Sequence, residues 1–486
     1  MTREKFGSRL GFILVSAGCA IGLGNVWKFP YICGAYGGAA FILIYLAFLL
    51  IMGIPVMICE FAVGRASRRS VACSFDELEP AGTSWHRMKY IGISGCYLLM
   101  MFYTMVGGWL MYYCFRSLRG DFAGASSEMV EGAFGSMLAD LPTMTFWTVL
   151  ICIIGFAVCR FGLKAGVERI SKFMMAALLL IMVVLAIRSV SLEGAGAGVW
   201  FYLVPDFQKI VDAGIGNVLF AALSQAFFTL SIGIGAMLIF GSYLDKSRSL
   251  AGEAISITAL DTFVALTAGF IIIPACFAFG IEPGAGPSLI FITLPNIFAQ
   301  MAGGALWSAL FFLFLTFAAL TTIIAVFENI IAFDMDLFQW SRKKSVLVSA
   351  VLIILLSMPA VLGFNVLSGI QPLGEGSTIM DLEDFIVSNN LLPLGSLGYI
   401  LFCTRKNGWG WNALIEEANT GDGIKFPKGL RNYVAYGIPL IIGVIYLKGY
   451  YDKFAPQGPV VLGCWMTGAV IFLGFIFYCA MPAKKK

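Results

Sequence analysis

Two stretches of this 486-residue chain set loosely held, polar backbone into the middle of apolar sequence. The first, AGCAIGLGNVWKFP (17–30), has glycines at 18, 22 and 24, then Asn25, with Lys28 and Pro30 close behind. The second, FFTLSIGIGAMLIFGSY (227–243), mixes Gly233 and Gly235 with Thr229 and Ser231. A third feature is an acid, Asp261, within SITALDTFVALTAGF, a window that holds no basic residue. Freed carbonyls, hydroxyls and one carboxylate are hard oxygen ligands suited to a hard cation, whereas the amide ends of interrupted helices attract an anionic group. Other chemistry has little support. The twelve cysteines form no CxxC pair, His86 is the sole histidine, and neither HExxH nor GxSxG occurs, so a metalloenzyme or a hydrolase does not fit.

The elements that must hold these residues are membrane helices. Hydrophobic residues make up 59% of the chain and charged ones 12%, which excludes a water-soluble globular domain. Charge-poor segments long enough to span a bilayer fall near 10–32, 38–63, 88–115, 142–160, 166–187, 213–243, 250–281, 304–333, 345–364, 384–403, 432–448 and 459–481. This predicts an all-α membrane protein of twelve spans in one domain, without a soluble module. The first span follows Arg9 with no cleavage site of the signal-peptide kind, and is expected to stay attached. Placing both termini in the cytoplasm puts 25 of the 32 Lys and Arg on that side, as the positive-inside rule requires. The net charge of +4 therefore reflects topology, and no nucleic-acid partner is expected. A short surface or re-entrant helix is expected in PNIFAQMAGGALW (295–307).

In hydrocarbon an unpaired backbone group costs several kcal/mol, so an interrupted helix persists only where protein or a water-filled cavity supplies partners. Glycine pairs in membrane helices commonly serve close packing. Packing alone does not explain Asn25 beside the glycines, or the second interruption in the sixth span. The second interruption falls five spans after the first, and an odd offset inverts the second half. The segments 10–188 and 213–403 are therefore candidate inverted repeats, with two further helices at 432–481.

GCAIGLGNVWKFP and FFTLSIGIGAMLIFGSY resemble helices 1 and 6 of the neurotransmitter:sodium symporter family, whose members have the LeuT fold. GGAAFILIYLAFLLIMGIPVMICEFAVGR and FAALTTIIAVFENIIAFDMD resemble its helices 2 and 8. The resemblance implies two sodium ions. The first would be held by the Ala20 carbonyl, the Asn25 side chain, Thr229 and Asp261; the second by carbonyls of Gly18, Ile21 and Ala318 with the hydroxyls of Thr321 and Thr322. It also implies a substrate pocket of Ala20, Leu23, Gly24, Leu99, Tyr103, Phe228, Thr229, Ser231, Ile234, Thr322 and Val326. Tyr103 and the amides of Leu23 and Gly24 would hold a substrate carboxylate, and carbonyls of the unwound sixth helix its ammonium.

Amine-carrying relatives have an Asp where this chain has Gly22, so an amino acid fits better than a biogenic amine. Ile234, replacing a Phe found in some amino-acid carriers, points to a bulky aliphatic or aromatic side chain. Asp261 resembles a built-in substitute for the chloride that neutral relatives bind, which implies transport without a chloride requirement and protonation of that acid as the empty carrier returns. Lys28 with Asp384, at the start of the tenth helix, matches the family's outer gate, with Tyr103 and Phe228 as a lid beneath. Arg3 with Asp336, beside Tyr243, matches the inner gate.

Three departures bear on this. Cys19 stands where one well-known amino-acid carrier has Asn. Ala176 stands ten residues after Gly166 where relatives often have the Pro proposed to help the fifth helix unwind. Lys28 stands in place of the commoner Arg and lacks its bidentate fork. The expectation is Na⁺-coupled symport of a hydrophobic or aromatic L-amino acid across the cell inner (plasma) membrane. The competing readings are a non-transporting sensor or scaffold of the same fold, a carrier for another small zwitterion, and a channel, which lacks a repeated pore loop or charged ring. Nothing in the sequence speaks to oligomeric state.

Overall fold

The computed structural model describes residues 4–281 and 288–481. Among them ten uninterrupted helices are long and apolar enough to cross a bilayer: α2 (Ala39–Ser67), α3 (Trp85–Leu118), α4 (Leu141–Arg160), α5 (Leu163–Val190), α7 (Leu250–Ala278), α8 (Gly304–Phe338), α9 (Arg342–Leu362), α10 (Ile379–Thr404), α11 (Lys428–Gln457) and α12 (Pro459–Cys479). Two further elements are interrupted. The first is a pair, α1a (Arg9–Ala20) and α1b (Gly24–Ala35), bent by 54° at the break. The second is α6a (Ile215–Thr229) and α6b (Ala236–Ser242), each too short to span alone. No strand occurs among the described residues, only an isolated bridge between Arg248 and Asp422.

The core explains why the interrupted helices sit inside. On α8, 83% of the most apolar window is buried within the protein, against 11% on α12. Helix α8 therefore runs through the centre and α12 faces lipid. Small residues let the central elements approach backbone to backbone. A Cβ added at Gly64 of α2 would fall on the Leu238 carbonyl of α6b, and one at Gly241 would lie 2.6 Å from the Phe61 carbonyl. The stretch 230–235 packs in the same way on α10, where Gly233 and Gly395 face each other. Gly233 (φ 102°) and Gly235 (φ 78°) lie in the left-handed region that a side chain disfavours. Ser231 joins them at φ 51°, a strained position for a residue with a Cβ.

Several boundaries differ from expectation. Helix α10 begins at Ile379 rather than at Asp384, because Thr378 and Asp381 form a capping box: the Thr378 hydroxyl accepts from the Asp381 N–H, and Asp381 accepts from the Thr378 N–H at 2.7 Å. Asp384 thus lies in the second turn. The short helix expected within 295–307 spans Leu289–Gln300, while 304–307 is already the first turn of α8. Helix α5 starts at Leu163 with a widened turn through Glu168 that contains Gly166, then runs unbroken through Ala176. Surface helices at Ser127–Ala139, Ala195–Leu203 and Trp411–Asn419 lie in three of the segments between the expected spans.

Candidate functional site

The break in α1 leaves oxygens facing one another. After Ala20 the chain resumes a helical path at Gly24, so carbonyls of the last α1a turn lose their i+4 amide partners. Opposite them is the α8 segment with Thr321 and Thr322. The Thr322 hydroxyl lies 3.3 Å from the Gly18 and Cys19 carbonyls and 3.4 Å from those of Ile21 and Ala318. A hydroxyl carries one proton and can satisfy one acceptor at a time. The Thr321 hydroxyl, 3.0 Å from the Ala318 carbonyl, borders the same cluster. Crowded oxygens short of protons suit a cation, and Gly18, Ile21, Ala318, Thr321 and Thr322 are the five residues expected at the second sodium site.

The expected first site converges around Asp261. One carboxylate oxygen accepts from Asn25 Nδ2 at 2.8 Å and the other from the Thr229 hydroxyl at 3.0 Å. Asn25 Nδ2 also lies 3.1 Å from the Asp261 carbonyl, and Asn25 Oδ1 accepts from the Gly22 N–H at 3.1 Å. Asp261, Asn25 and Thr229 are fully buried, so a carboxylate on α7, an amide at the α1 break and a hydroxyl at the end of α6a meet out of water. No described basic side chain forms an ion pair with Asp261. Among the described residues there is also no group of three His, Cys, Asp or Glu able to hold a metal, which leaves carbonyl and hydroxyl oxygens as the main donors.

Between the two oxygen clusters lies a small cavity of about 10 Å³, room for about one water. Ala20, Gly24, Leu99, Tyr103, Phe228, Ser231, Ile234 and Thr322 line it, as expected. Gly22, expected where amine carriers pair their substrate, and Cys19, one of the three noted departures, also line it, as does Leu392, which sequence reading had not assigned there. Leu23 instead faces a second cavity above, the Thr229 hydroxyl is directed to Asp261, and Val326 is buried in the packing of α8. Ile234 does not leave an open space in this conformation, since its side chain fills the notch left by Gly95 on α3. The Tyr103 hydroxyl accepts from the Leu23 N–H at 2.8 Å, joining α3 to the α1 break. Ser231 bridges the breaks by donating to the Cys19 carbonyl at 3.0 Å.

Tyr103 and Phe228 line both cavities and therefore stand between them. The larger cavity, about 260 Å³, is bounded above by Lys28 and Asp384. Lys28 Nζ lies 3.1 Å from the Asp384 carboxylate, 3.1 Å from the Ser388 hydroxyl and 4.4 Å from the centre of the Phe228 ring. This gate is thin, because both side chains of the ion pair remain partly exposed.

The face that carries the N-terminus is closed by many more contacts. Glu328 of α8 is fully buried and accepts from the Tyr243 hydroxyl at 2.9 Å and from Arg342 through two bonds of 2.8 and 2.7 Å. Arg342 also meets Glu4 at 3.2 Å. Glu168 of α5 accepts from the Gly7 N–H at 2.7 Å and from Lys172 at 2.6 Å, and Arg9 pairs with Glu253 at 2.8 Å. Of the expected inner gate, Arg3 lies outside the described residues. Asp336 accepts from the Ser70 N–H at 2.6 Å, and Tyr243 is tied to Glu328 as above. In the loop after α6b, hydrogen bonds from Ser247 hold the Asp245 carboxyl below its ordinary range.

Three contributors escaped the sequence reading. Glu60 of α2, fully buried, accepts from the Gly233 N–H in the α6 break. Gln225 donates to the Gly24 carbonyl at 2.7 Å, and Glu328 anchors the closed face. The signal for both acids was present, since a carboxylate in an apolar span is a functional candidate on cost alone.

Comparison with known proteins agrees with this geometry. The model of the "Sodium:neurotransmitter symporter family" matches residues 3–131 and 129–373. A Bacillus subtilis (strain 168) protein described as an uncharacterized sodium-dependent transporter is 37% identical over 447 residues, covering 91% of this chain and 97% of that protein. One from Haemophilus influenzae with the same description is 31% identical, covering 92% and 98%. The crystal structure of MhsT in complex with L-phenylalanine superposes with a TM-score of 0.84 at 37% identity, over 92% of this chain and all of that one.

Proposed function

The chain belongs to the sodium:neurotransmitter symporter family, and we propose that it carries a hydrophobic or aromatic L-amino acid inward with two sodium ions. The observation that carries this reading is the oxygen cluster at the α1 break, where one Thr322 hydroxyl lies within 3.4 Å of four carbonyls. A cation there joins α1 to α8, and a second cation at Asp261 joins α1 to α6 and α7. A zwitterion entering between them, for which the present single-water cavity must widen, would set its carboxylate toward Tyr103 and the α1 amides and its ammonium toward carbonyls of 230–235. The solved MhsT complex, whose ligand is L-phenylalanine, favours an apolar amino acid. Gly22, with no acid to pair an amine, points the same way.

Ligand binding does work only through different affinities in the two states of the carrier. Here the ions and the amino acid complete both breaks and favour an occluded form. Movement of the interrupted helices α1 and α6 together with their bound ions against the surrounding helices then exposes the site to the other side. The Lys and Arg distribution assigns the N-terminal face to the cytoplasm, so the 260 Å³ cavity above Tyr103 and Phe228 opens outward. Each positive charge crossing the membrane gains about 2.3 kcal/mol per 100 mV. Asp261 supplies the negative charge that otherwise calls for chloride, and takes up a proton when the empty carrier returns.

The test is uptake of a panel of radiolabelled amino acids into proteoliposomes. Sodium replaced by choline should abolish uptake of the preferred substrate, and chloride replaced by gluconate should leave it intact. Sodium-independent uptake contradicts the coupling, and full loss in gluconate contradicts the role of Asp261.

A further inference from the structure

A third cavity carries cationic side chains that the closed face does not pair. On the N-terminal face a recess of about 530 Å³ is lined by Glu4, Lys5, Arg160, Phe161, Gly162, Lys164, Ala165 and Arg342. Four cationic side chains thus surround one carboxylate. Arg342 is already matched by the buried Glu328, and among the described residues Arg160 and Lys164 carry no ion pair. Glu4 occupies the recess as an anion would: its carboxylate accepts from the Leu163 N–H at 2.8 Å and pairs with Arg342 at 3.2 Å. Gly162, at φ 84°, makes the turn that presents this amide. Beside the recess, the Phe161 ring is 71% exposed at the end of a membrane helix, where an acyl chain would cover it.

From these residues we infer that the recess binds the phosphate of an anionic lipid headgroup in the cytoplasmic leaflet, in competition with Glu4. A phosphate accepts from the same amide and guanidinium and has oxygens left for Arg160 and Lys164. When it enters, the Glu4 carboxylate leaves, and the segment 5–12, held otherwise by Glu168 and Glu253, loses one of its three anchors. The anionic lipid thereby eases opening of the cytoplasmic side. This proposal needs the membrane orientation given above and is independent of which amino acid is carried.

Native mass spectrometry of the full chain in detergent, titrated with phosphatidylglycerol and separately with phosphatidylcholine, reads the site directly. The first phosphatidylglycerol should bind at least tenfold tighter than phosphatidylcholine, and that preference should fall at least fivefold in R160Q/K164Q. E4Q should tighten the same event about threefold or more, whereas E77Q, an equal charge change at an exposed residue of the same face, should not. A gain of affinity cannot arise from misfolding. Added phosphatidylglycerol should also speed amide hydrogen exchange over 5–12 in the wild type and leave it unchanged in R160Q/K164Q. Competition by millimolar inorganic phosphate would assign the site to free phosphate, and its absence to the lipid. Equal lipid affinity in wild type, R160Q/K164Q and E4Q would overturn the proposal.

Discussion

The two interrupted helices look alike in sequence and differ in how their backbones are satisfied. The break in α6 is provided for by protein: Gly233 donates to Glu60, the Gly235 carbonyl accepts from Asn329 Nδ2 at 3.2 Å, and the Ile234 carbonyl accepts from the Cys96 thiol at 3.6 Å. At the break in α1 the Gly18, Cys19 and Ile21 carbonyls crowd the single Thr322 hydroxyl, only Cys19 having a second donor in Ser231, and a carboxylate lies beside the amide of Asn25 without a countercharge. Buried polar groups in a folded protein are satisfied, and an exception calls for a missing partner. The backbone of the α6 break is thus tied down by protein, whereas the α1 break carries the oxygens that the proposed ions would join.

Substitutions test that division by what they change. The largest effect belongs to Asp261→Asn, which removes the charge that would face the proposed first ion. Sodium-dependent binding should weaken at least 100-fold or acquire a chloride requirement, and its pH dependence should vanish; an unchanged sodium and pH response would assign the acid a structural role. Thr322→Val keeps the shape of α8 but removes the hydroxyl. A hydrogen bond or ligand contact to a charged group is worth about 1.5–3 kcal/mol, so apparent sodium affinity should fall roughly 10- to 150-fold in a scintillation binding assay.

Glu60→Ala should behave in the opposite way. It leaves the Gly233 amide without its partner at a cost of about 1–3 kcal/mol, so the melting temperature should drop while sodium affinity of the folded fraction changes less than about threefold. A large sodium defect with normal stability would erase the distinction between the breaks. The smallest effect is expected at the outer gate. Lys28→Ala breaks a partly exposed ion pair worth about 0.2–1 kcal/mol, so substrate release to the outside should quicken by no more than about fivefold.

Much of this was legible in the sequence, because membrane helices tolerate so few exceptions. Gly22, Gly24 and Asn25 stood out against apolar neighbours, as did Gly233, Gly235 and Asp261, and all lie at or beside the breaks. Helix starts were less visible. The first turn of α10 is polar and reads as loop when hydropathy alone is followed, although Thr378 and Asp381 spelled its cap. Leu392 gave no signal at all: it reaches the inner cavity only because the irregular stretch 230–235 packs on α10, a long-range contact that no local pattern encodes. Glu4 was hidden for a similar reason, since its partners Leu163 and Arg342 come from distant helices.

The most direct test of sodium as the missing partner at α1 is equilibrium binding of the preferred radiolabelled amino acid to purified protein, titrated with sodium at constant ionic strength against choline. The account predicts saturable binding that tightens at least 100-fold with sodium in the wild type and hardly at all in a Thr322→Val, Asp261→Asn double variant. Equal binding in choline and sodium, or a double variant that responds to sodium as the wild type does, would contradict it.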